Sequence, residues 1–409
     1  MQSRRVWAEI DLDSITRNLN RLRFQAGPDR RIMAIVKANA YGHGAVPVAW
    51  HLATHGVDAL GVGDSQEAIE LRDAGISIPI VVLGAIVPGE MGAVVSHDIE
   101  VTVHSGERVR LLEREARRAN RQVAVHLKVD TGMGRLGCSP TRAAEIAGVI
   151  DQSEFLRFVG LCTHFSSVGA EPDPFTQQQV TLFENVCRSI ADTGVALPAR
   201  HASASAAVLT RVASHLDMIR PGLGLYGIAP EPELAEGLSP ALTLKTQVIF
   251  LKDLPAGAPV GYAREHVTSR ATRIATLPVG YNDGYPWRLK DRGEVLLRGH
   301  RAPVVGRVSM DYLMVDVGQI PGVSVGDEVT LLGTSGDRTI SAFELAERAG
   351  TIPYEILTRL GKRVARVYRA SRDDEELASN GAAERGFAVV RRPQSAASEL
   401  GPQAPRRDA

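Results

Sequence analysis

The feature that most constrains the fold is a unit repeated along the first part of the chain. A short apolar run precedes a helical pattern, and this β-then-α step occurs eight times in about 200 residues. The predicted strands are Ile32–Val36, Ala59–Val62, Ile80–Leu83, Glu100–Val103, Ala124–Val129, Val159–Thr163, Ala199–Ala202 and Met218–Arg220. This rhythm predicts a parallel (β/α)8 TIM barrel. An open doubly wound sheet is the alternative, but the stretch from Lys37 to Gly44 lacks its Gly-rich fingerprint.

The pattern changes beyond a proline-punctuated linker between Pro230 and Pro240. Alternating strands separated by Gly and Pro turns then predict a mostly-β domain. Its predicted strands are Leu242–Leu251, Thr272–Leu277, Glu294–Leu297, Ala302–Val308, Leu313–Val317, Glu328–Leu332 and Val364–Tyr368. We therefore expect a barrel over 1–233, a β domain over 234–370 and a disordered tail over 371–409. The first strand, about residues 5–11, has two possible places, in the barrel or with the β domain.

Charge and cysteine content exclude several classes of protein. Lys+Arg and Asp+Glu both number 47, so the chain lacks the basic surplus of a nucleic-acid binder. Its three cysteines have no metal-ligand spacing and are expected to be reduced thiols. The sequence shows neither a secretory signal nor an apolar run of membrane-spanning length. These observations predict a cytoplasmic protein.

Lys37 directly follows the predicted buried strand Ile32–Val36, where a solvated ammonium is costly. Burial lowers the pKa of a lysine and makes its amine a usable nucleophile, although snorkelling to water is the commoner outcome. Barrel chemistry lies on the loops at the carboxyl ends of the strands. These ends carry further polar, cationic or glycine residues, namely Lys128, Arg135, His164, Ser203, Ser205, Arg220, Gly222 and Gly224. Their concentration at one rim predicts an anion-binding active site.

Six blocks follow one another along the chain: Ala34–Gly44, Lys128–Gly137, Arg220–Gly227, Val260–Tyr262, Gly280–Pro286 and Gly306–Asp311. In this order they resemble the pyridoxal-phosphate-dependent alanine racemases of fold-type III, over roughly residues 5–369. The resemblance implies an isomerase that interconverts L-alanine and D-alanine and supplies D-alanine for peptidoglycan.

The resemblance also implies a two-base mechanism. Lys37 is expected to hold pyridoxal 5'-phosphate as a Schiff base, and the cofactor supplies the electron sink for the α-carbon. Lys37 and Tyr262 are then the acid/base groups on opposite faces of the external aldimine, which requires a lowered pKa for Tyr262. Without the resemblance, Tyr262 would be interpreted as a packed aromatic residue of the β domain.

Residues around the cofactor follow from the same resemblance. Arg220 is expected to face the pyridine nitrogen, where a permanently charged donor disfavours protonation of the ring, and His164 lies beside it. The expected phosphate cradle consists of Tyr41, Ser205, Gly222, Leu223 and Tyr354. No metal is expected.

The substrate carboxylate is expected to be bound by Arg135 and the backbone of Met310, with Asp311 beside them. Lys128 matches a lysine that many family members carry as a carbamate, which holds the substrate arginine. The alternative for Lys128 is an ordinary ion pair with Asp130 or a neighbour.

Assembly is implied as well. In this family the tyrosine and the Met-Asp pair come from the other subunit of a head-to-tail dimer, so a homodimer with two shared active sites is expected. The chain departs from the family pattern at Ala204, where an asparagine is common, and Ser203 could compensate for it.

Other functions remain open from the sequence. A racemase of broader specificity, or a serine racemase, would use the same fold. A non-catalytic pyridoxal-phosphate carrier would lack the β domain, so Tyr262 and Met310 argue against it. A decarboxylase of this plan usually places a cysteine opposite the lysine, and the β domain has none.

Overall fold

The computed structural model describes residues 4–210, 215–371 and 389–391. It consists of a closed parallel barrel followed by a mostly-β domain, as the sequence predicts. The chain begins with strand β1 (Val6–Asp11), which pairs with strands of the second domain rather than with the barrel. In the part of the chain that the structure describes, no helix is long and apolar enough to cross a bilayer.

The barrel contains eight strands, each pairing in parallel with its neighbours until the last closes on the first. They are β2 (Arg31–Ile35), β3 (Ala59–Val62), β4 (Ile80–Val82), β5 (Glu100–Val103), β6 (Val123–Lys128), β7 (Leu156–Cys162), β8 (Ala199–Ala204) and β9 (Met218–Arg220). Most of their residues are buried, since the strands are covered by helices outside and by packed side chains inside.

Helices connect the barrel strands. They are α3 (Ala45–Thr54), α4 (Ser65–Asp73), α5 (Met91–Ser96), α6 (Gly106–Ala119), α7 (Ala143–Asp151), α8 (Pro174–Ala191) and α9 (Ser205–Thr210), together with α1 (Leu12–Ala26) before the first barrel strand and the short left-handed segment α2 (Lys37–Tyr41) after it. Several begin at a side-chain cap that satisfies an otherwise unpaired backbone N–H, as Asp64, Ser105 and Asp173 do. Short 3-10 turns occur at Pro88–Glu90, Pro140–Arg142, Leu223–Tyr226, Pro232–Ala235, Tyr262–Arg264, Tyr281–Asp283 and Trp287–Leu289.

The second domain is built from an eight-stranded sheet, a three-stranded sheet and a two-stranded hairpin. Its strands are β10 (Leu242–Gln247), β11 (Phe250–Leu254), β12 (Pro259–Val260), β13 (His266–Val267), β14 (Thr272–Leu277), β15 (Glu294–Leu297), β16 (His300–Pro303), β17 (Leu313–Asp316), β18 (Glu328–Ser335), β19 (Arg338–Ile340), β20 (Ala365–Ala370) and β21 (Val389–Arg391). Helices α10 (Ala342–Ala349) and α11 (Pro353–Thr358) complete it.

Strand β1 lies between β10 and β20 in the large sheet, antiparallel to the first and parallel to the second. Because α1 follows β1 directly and leads into the barrel, the two domains share the start of the chain. The hydroxyl of Tyr368 on β20 also donates to the carbonyl of His43, beside the Lys37 loop. The β domain therefore supports the barrel rim on which Lys37 lies.

Several details of the structure differ from the sequence prediction. The single strand predicted over Leu242–Leu251 is wrong: the chain leaves the large sheet after β10 and enters the three-stranded sheet as β11. Helix α11 was not predicted, because six residues are too few for a clear helical period. Val389–Arg391 pair in parallel with β20, so the expected disorder of 371–409 does not extend to them. Apart from these three residues and Ser371, that stretch lies outside the described residues.

Candidate active site

A cavity of about 480 Å³ opens at the carboxyl ends of the barrel strands, a size typical of small-molecule sites. It brings together most of the residues predicted from the sequence, and its wall includes Lys37, Tyr41, Lys128, Arg135, His164, Ser205, Arg220, Gly222, Leu223 and Tyr354. No Asp or Glu belongs to the described residues that line it. Since two lysines and two arginines share the wall, the cavity favours an anionic ligand.

Lys37 lies directly after β2, with its side chain accessible from the cavity. Burial by the surrounding protein lowers the pKa of Lys37, and the Arg135 guanidinium lowers it further, whereas the Glu67 carboxylate acts in the opposite direction. A larger fraction of the amine is therefore neutral than for a lysine in water. A neutral amine in an accessible position is the chemical requirement for a nucleophile that condenses with an aldehyde.

The backbone after Lys37 is a left-handed turn. Ala38, Asn39, Ala40 and Tyr41 have φ between 51° and 55°, a conformation that costs L-residues roughly 1–2 kcal/mol each. Contacts on both sides compensate this cost. The Asn39 side chain accepts from Ala45 N–H at 2.7 Å, and the Glu67 carboxylate accepts from Ala38 N–H at 2.6 Å and from Gly63 N–H at 2.7 Å. Glu67 thus fixes the loop that carries Lys37 to strand β3.

Arg220, the last residue of β9, is buried and bound on both terminal nitrogens. Nη1 donates to His201 Nδ1 and to the His201 carbonyl, both at 2.7 Å. Nη2 donates to the carbonyls of Thr163 and Ala202 at 2.8 and 2.9 Å, and lies 3.3 Å from His164 Nδ1. Among the described residues no acceptor is found for Nε–H, so this is the donor left for a ligand in the cavity.

His164 lies beside Arg220, as the resemblance implies. Burial, and then the positive charge of Arg220, lowers the pKa of His164 to about 3. The imidazole is therefore neutral near pH 7, and its Nδ1 lone pair faces Arg220 Nη2. This arrangement leaves the Nε2 position to carry the proton.

The residues predicted to cradle a phosphate lie together around Ser205 at the start of α9. Ser205 Oγ accepts from Gly222 N–H at 2.9 Å and from Gly224 N–H at 3.0 Å. An oxygen that accepts two hydrogen bonds retains its own O–H for donation to an anion. A Cβ at Gly222 would lie 2.6 Å from the Tyr41 hydroxyl, so glycine is required for this close approach. The rings of Tyr41 and Tyr354 lie 6.2 Å apart at the same end of the cavity.

Lys128, at the end of β6, faces the same cavity. Burial lowers the pKa of Lys128, and the positive charges of Arg220, Arg135 and Lys37 contribute in the same direction. No ion pair between Lys128 and a carboxylate is found in the described part of the chain. Asp130 instead accepts from Gly132 N–H and Gly134 N–H, at 2.9 and 3.1 Å, and so shapes the loop that carries Arg135.

The structure does not bring Tyr262, Met310 and Asp311 to this cavity: none belongs to the described residues that line it. Tyr262 is 67% exposed and Met310 53% exposed, both on the β domain. Asp311 forms a 2.6 Å ion pair with Arg363. The Gly280 turn packs directly against the Met310 loop, since a Cβ at Gly280 would lie 2.3 Å from the Met310 carbonyl oxygen. These three residues therefore lie outside the cavity of their own chain.

Ala204 lines the cavity next to Ser205, but Ser203 does not. Ser203 is fully buried, and its hydroxyl has no hydrogen-bond partner in the described structure. In this structure the Ser203 hydroxyl therefore does not reach the cavity in which it could replace the missing asparagine.

Several residues that shape the site were not found from the sequence. Glu67 follows the helix cap Asp64 by three residues, and this capping-box spacing could have marked it. His126 precedes Lys128 by two residues and so shares its inward face, although one histidine gives no signal by itself. No group of three or more His, Cys, Asp or Glu among the described residues could hold a metal ion.

Comparison with known proteins agrees with this geometry. Residues 10–230 match the family model "Alanine racemase, N-terminal domain", and residues 241–368 match "Alanine racemase, C-terminal domain". An alanine racemase of Halothermothrix orenii is 42% identical over 369 residues, covering 90% of this chain and 97% of that protein. One of Symbiobacterium thermophilum is 44% identical over 368 residues, covering 89% and 97%. The crystal structure of an alanine racemase from Streptomyces lavendulae has a TM-score of 0.86 and 37% identity, covering 91% of this chain and 99% of that one.

Proposed function

The chain belongs to the alanine racemase family and is an amino-acid racemase, an isomerase of alanine; from this premise we propose how its residues act and with which partners. The observation that carries the proposal is the convergence, in one cationic cavity, of a lysine with a lowered pKa, an Arg220 with one spare donor and a hydroxyl-and-amide cradle. An amine, a ring-facing donor and a phosphate cradle are the three contacts that pyridoxal 5'-phosphate requires.

In the proposed site Lys37 holds the cofactor covalently through its amine. Tyr41, Ser205, Gly222, Leu223 and Tyr354 would bind the phosphate, and Arg220 Nε–H would donate to the ring nitrogen. His164 lies beside Arg220. When bound, the cofactor supplies the electron sink without which the α-proton of an amino acid is far too weak an acid. Arg220 retains its positive charge, since guanidinium cannot be deprotonated in proteins, and so does not give its proton to the ring.

Racemisation requires one acid/base group on each face of the α-carbon. Lys37 Nζ removes or returns the proton on one face, and burial assists it by favouring the neutral amine. Tyr262 Oη acts on the opposite face. Because Tyr262 lies outside the cavity of its own chain, we assign this role to Tyr262 of the partner subunit.

The substrate carboxylate is bound by Arg135 and by the backbone of Met310, with Asp311 holding the Met310 loop through Arg363. Lys128 has the lowered pKa that carbamate formation requires, since only a neutral amine attacks carbon dioxide. As a carbamate, Lys128 would place a negative charge among Arg220, Arg135 and Lys37, and would orient the Arg135 guanidinium.

The assembly that completes the site is a homodimer. The exposed side chains of Tyr262, Met310 and neighbouring Tyr281 and Tyr312 lie on the β domain, and aromatic residues and methionine are enriched at interfaces. Two composite sites would form if this group covers the barrel rim of a second copy. We propose a cytoplasmic enzyme that supplies D-alanine for peptidoglycan.

Borohydride reduction tests the central assignment. It fixes the cofactor covalently to the amine that carries it, so peptide mapping of the reduced protein is expected to find the label on Lys37 alone. Reduction of a Lys252→Ala variant, which lacks an exposed lysine of the β domain, controls for random labelling. Label on any other lysine removes the proposed role of Lys37. Initial rates for both enantiomers of alanine and of serine, measured on the same preparation, determine the substrate range.

A further inference from the structure

A chain of four polar side chains runs through the barrel interior below the cavity. Arg220 Nη1 donates to His201 Nδ1 at 2.7 Å, His201 Nε2 lies 2.9 Å from His126 Nδ1, and His126 Nε2 lies 2.9 Å from Glu100 Oε2. His201 is fully buried and His126 nearly so, whereas the Glu100 side chain is 19% exposed. The chain joins the carboxyl end of β9 to the amino end of β5.

The two ends of this chain fix the direction of every hydrogen bond in it. Arg220 can only donate, so His201 Nδ1 must accept and His201 Nε2 must carry the proton. His201 then donates to His126 Nδ1, which leaves the His126 proton on Nε2. A carboxylate at Glu100 can only accept, so Glu100 Oε2 accepts the hydrogen bond from His126 Nε2–H. Both imidazoles are therefore neutral and held in one tautomer.

A glycine on β7 provides the space that the His126 ring occupies. His126 on β6 is paired with Gly160 on β7, and a Cβ at Gly160 would lie 1.8 Å from His126 Nδ1. Any other residue at position 160 would displace the ring. Glycine therefore lets the imidazole cross the neighbouring strand and reach His201 on β8.

The buried charge of Arg220 explains why this series of hydrogen bonds ends at a carboxylate. No ion pair joins Arg220 to a carboxylate in the described residues, and its bonded acceptors are three carbonyls and two imidazole nitrogens. A buried charge without a counter-charge is costly. Glu100 is the carboxylate that the hydrogen-bond chain reaches from Arg220, through two polarisable rings.

We propose that Glu100 is a positioning residue for Arg220, acting through His126 and His201. Glu100 accepts the last hydrogen bond of the series, which holds the His126 and His201 rings so that His201 Nδ1 presents its lone pair to Arg220 and the guanidinium keeps one orientation at the cavity floor. This inference rests on the proposed role of Arg220 as the donor to the cofactor ring.

The ring nitrogens give the first test. In 15N-histidine NMR spectra of the holoenzyme, assigned with His126→Asn and His201→Asn variants, both rings are expected as neutral Nε2–H tautomers across neutral pH. Glu100→Gln keeps an acceptor oxygen and is expected to preserve this pattern. Glu100→Leu leaves the buried His126 Nε2–H without an acceptor, so the His126 ring is expected to leave its present orientation and to show mixed tautomers, and His201 is then held by Arg220 alone. A His201 proton on Nδ1 in the unmodified enzyme, or an unchanged single pattern in Glu100→Leu, overturns the proposal.

Kinetics give the second test. Glu100→Leu is expected to lower kcat by roughly tenfold with little change in KM for alanine, because a shifted Arg220 misplaces the reacting group. Glu100→Gln is expected to recover most of that loss. Asp58→Asn is the matched control, because Asp58 accepts the Ile32 N–H at the same end of the barrel but takes no part in the hydrogen bonds that join Glu100 to Arg220. Equal losses in the Leu and control variants, or no recovery by glutamine, contradict the proposal.

These readouts separate two kinds of failure. If Glu100→Leu does not fold, the Gln variant decides alone, because mixed tautomers in it would contradict the proposed acceptor role. If the rings behave as expected but kcat does not respond, Glu100 does not position Arg220 for catalysis. If borohydride labels another lysine, the proposed role of Lys37 fails, whereas the NMR spectra still test whether Glu100 holds the tautomers of His126 and His201.

Discussion

The barrel rim and the β-domain loops hold their proposed catalytic residues in contrasting ways. Lys37 and Arg220 lie in a cavity of their own chain, where hydrogen bonds from β3, β7 and β8 fix them or their loop. Tyr262 and Met310 are more than half exposed, and they lie outside that cavity. Under the proposed function, one chain therefore carries Lys37 and the cofactor contacts in its own cavity, and the second acid/base group on an exposed surface of the β domain. The contrast supports the proposal that the complete site needs two chains.

The largest expected effect tests whether the two halves meet between subunits. Lys37→Ala and Tyr262→Phe are each expected to lower kcat by more than about a hundredfold, since each removes one of the two acid/base groups. Mixing the two inactive variants under conditions that exchange subunits should restore activity. Random pairing makes half of the dimers mixed, each with one intact site, so about a quarter of the sites recover.

Two controls define this experiment. Tyr312→Phe removes another exposed hydroxyl of the β domain and should retain activity. Each inactive variant mixed with itself should stay inactive. If Tyr262 instead served the cavity of its own chain, mixed dimers would contain no intact site, and the mixture would remain inactive.

A smaller but measurable difference concerns acid stability. Burial lowers the pKa of His43 to about 4 and that of His51 and His164 to about 3, and all three lie in the barrel. The unfolded chain binds protons on these groups below about pH 6.5, whereas the folded chain does not. Stability therefore falls as pH drops from about 6.5 towards 4.5, by up to about 2–3 kcal/mol per histidine.

Hydrogen exchange resolved by peptide can locate this loss. Barrel peptides are expected to lose protection before those of the β domain, where His300 is exposed. Glu265 of the β domain does not contribute between pH 6.5 and 4.5, because its hydrogen bonds and ion pairs with Arg307 and Lys290 lower its pKa to about 2. A His51→Gln variant should weaken the acid response and His300→Gln should not. Equal loss of protection in both domains would refute this account.

How much could be predicted from the sequence differs between the same two regions. The barrel was predictable because a buried parallel strand followed by a helix gives a repeating pattern, and because residues at strand ends converge by topology. The break between β10 and β11 could not be predicted, because both segments show the same alternation of residues. They differ only in the sheet with which each one pairs.

The site shows the same limit at the level of single residues. Lys37 and Arg220 lie within recognisable blocks and Ser205 lies at a predicted strand end, so their proximity could be predicted. Glu67 and Glu100 act through contacts 29 and 26 residues away along the chain, to Ala38 and His126. Side-chain contacts of this kind depend on register across strands, which a single sequence does not specify.

Glu67→Gln tests how firmly the barrel half is fixed. An amide can accept from Ala38 N–H but cannot also accept from Gly63 N–H, so the strained turn after Lys37 loses one restraint. We expect unfolding free energy to fall by about 1–2 kcal/mol and kcat to fall roughly tenfold. Glu70→Gln, an exposed change on the same helix, is the control. Equal effects of both variants would show that Glu67 has no special role at Lys37.

The smallest expected effect concerns the cofactor cradle, at Ala204, a position where this chain departs from the family pattern. Ala204 lines the cavity beside Ser205, so Ala204→Asn adds an amide donor there and should tighten cofactor binding several-fold, by about 1 kcal/mol. Ser203→Ala should leave the cofactor affinity unchanged, because the Ser203 hydroxyl lies outside the cavity lining and has no partner in the described structure. Titration of cofactor-stripped protein measures both affinities. Weaker binding in Ser203→Ala would mean that the β8 backbone turns Ser203 inward when the phosphate binds. The barrel rim would then be mobile, and the contrast between a fixed rim and exposed β-domain residues would not hold.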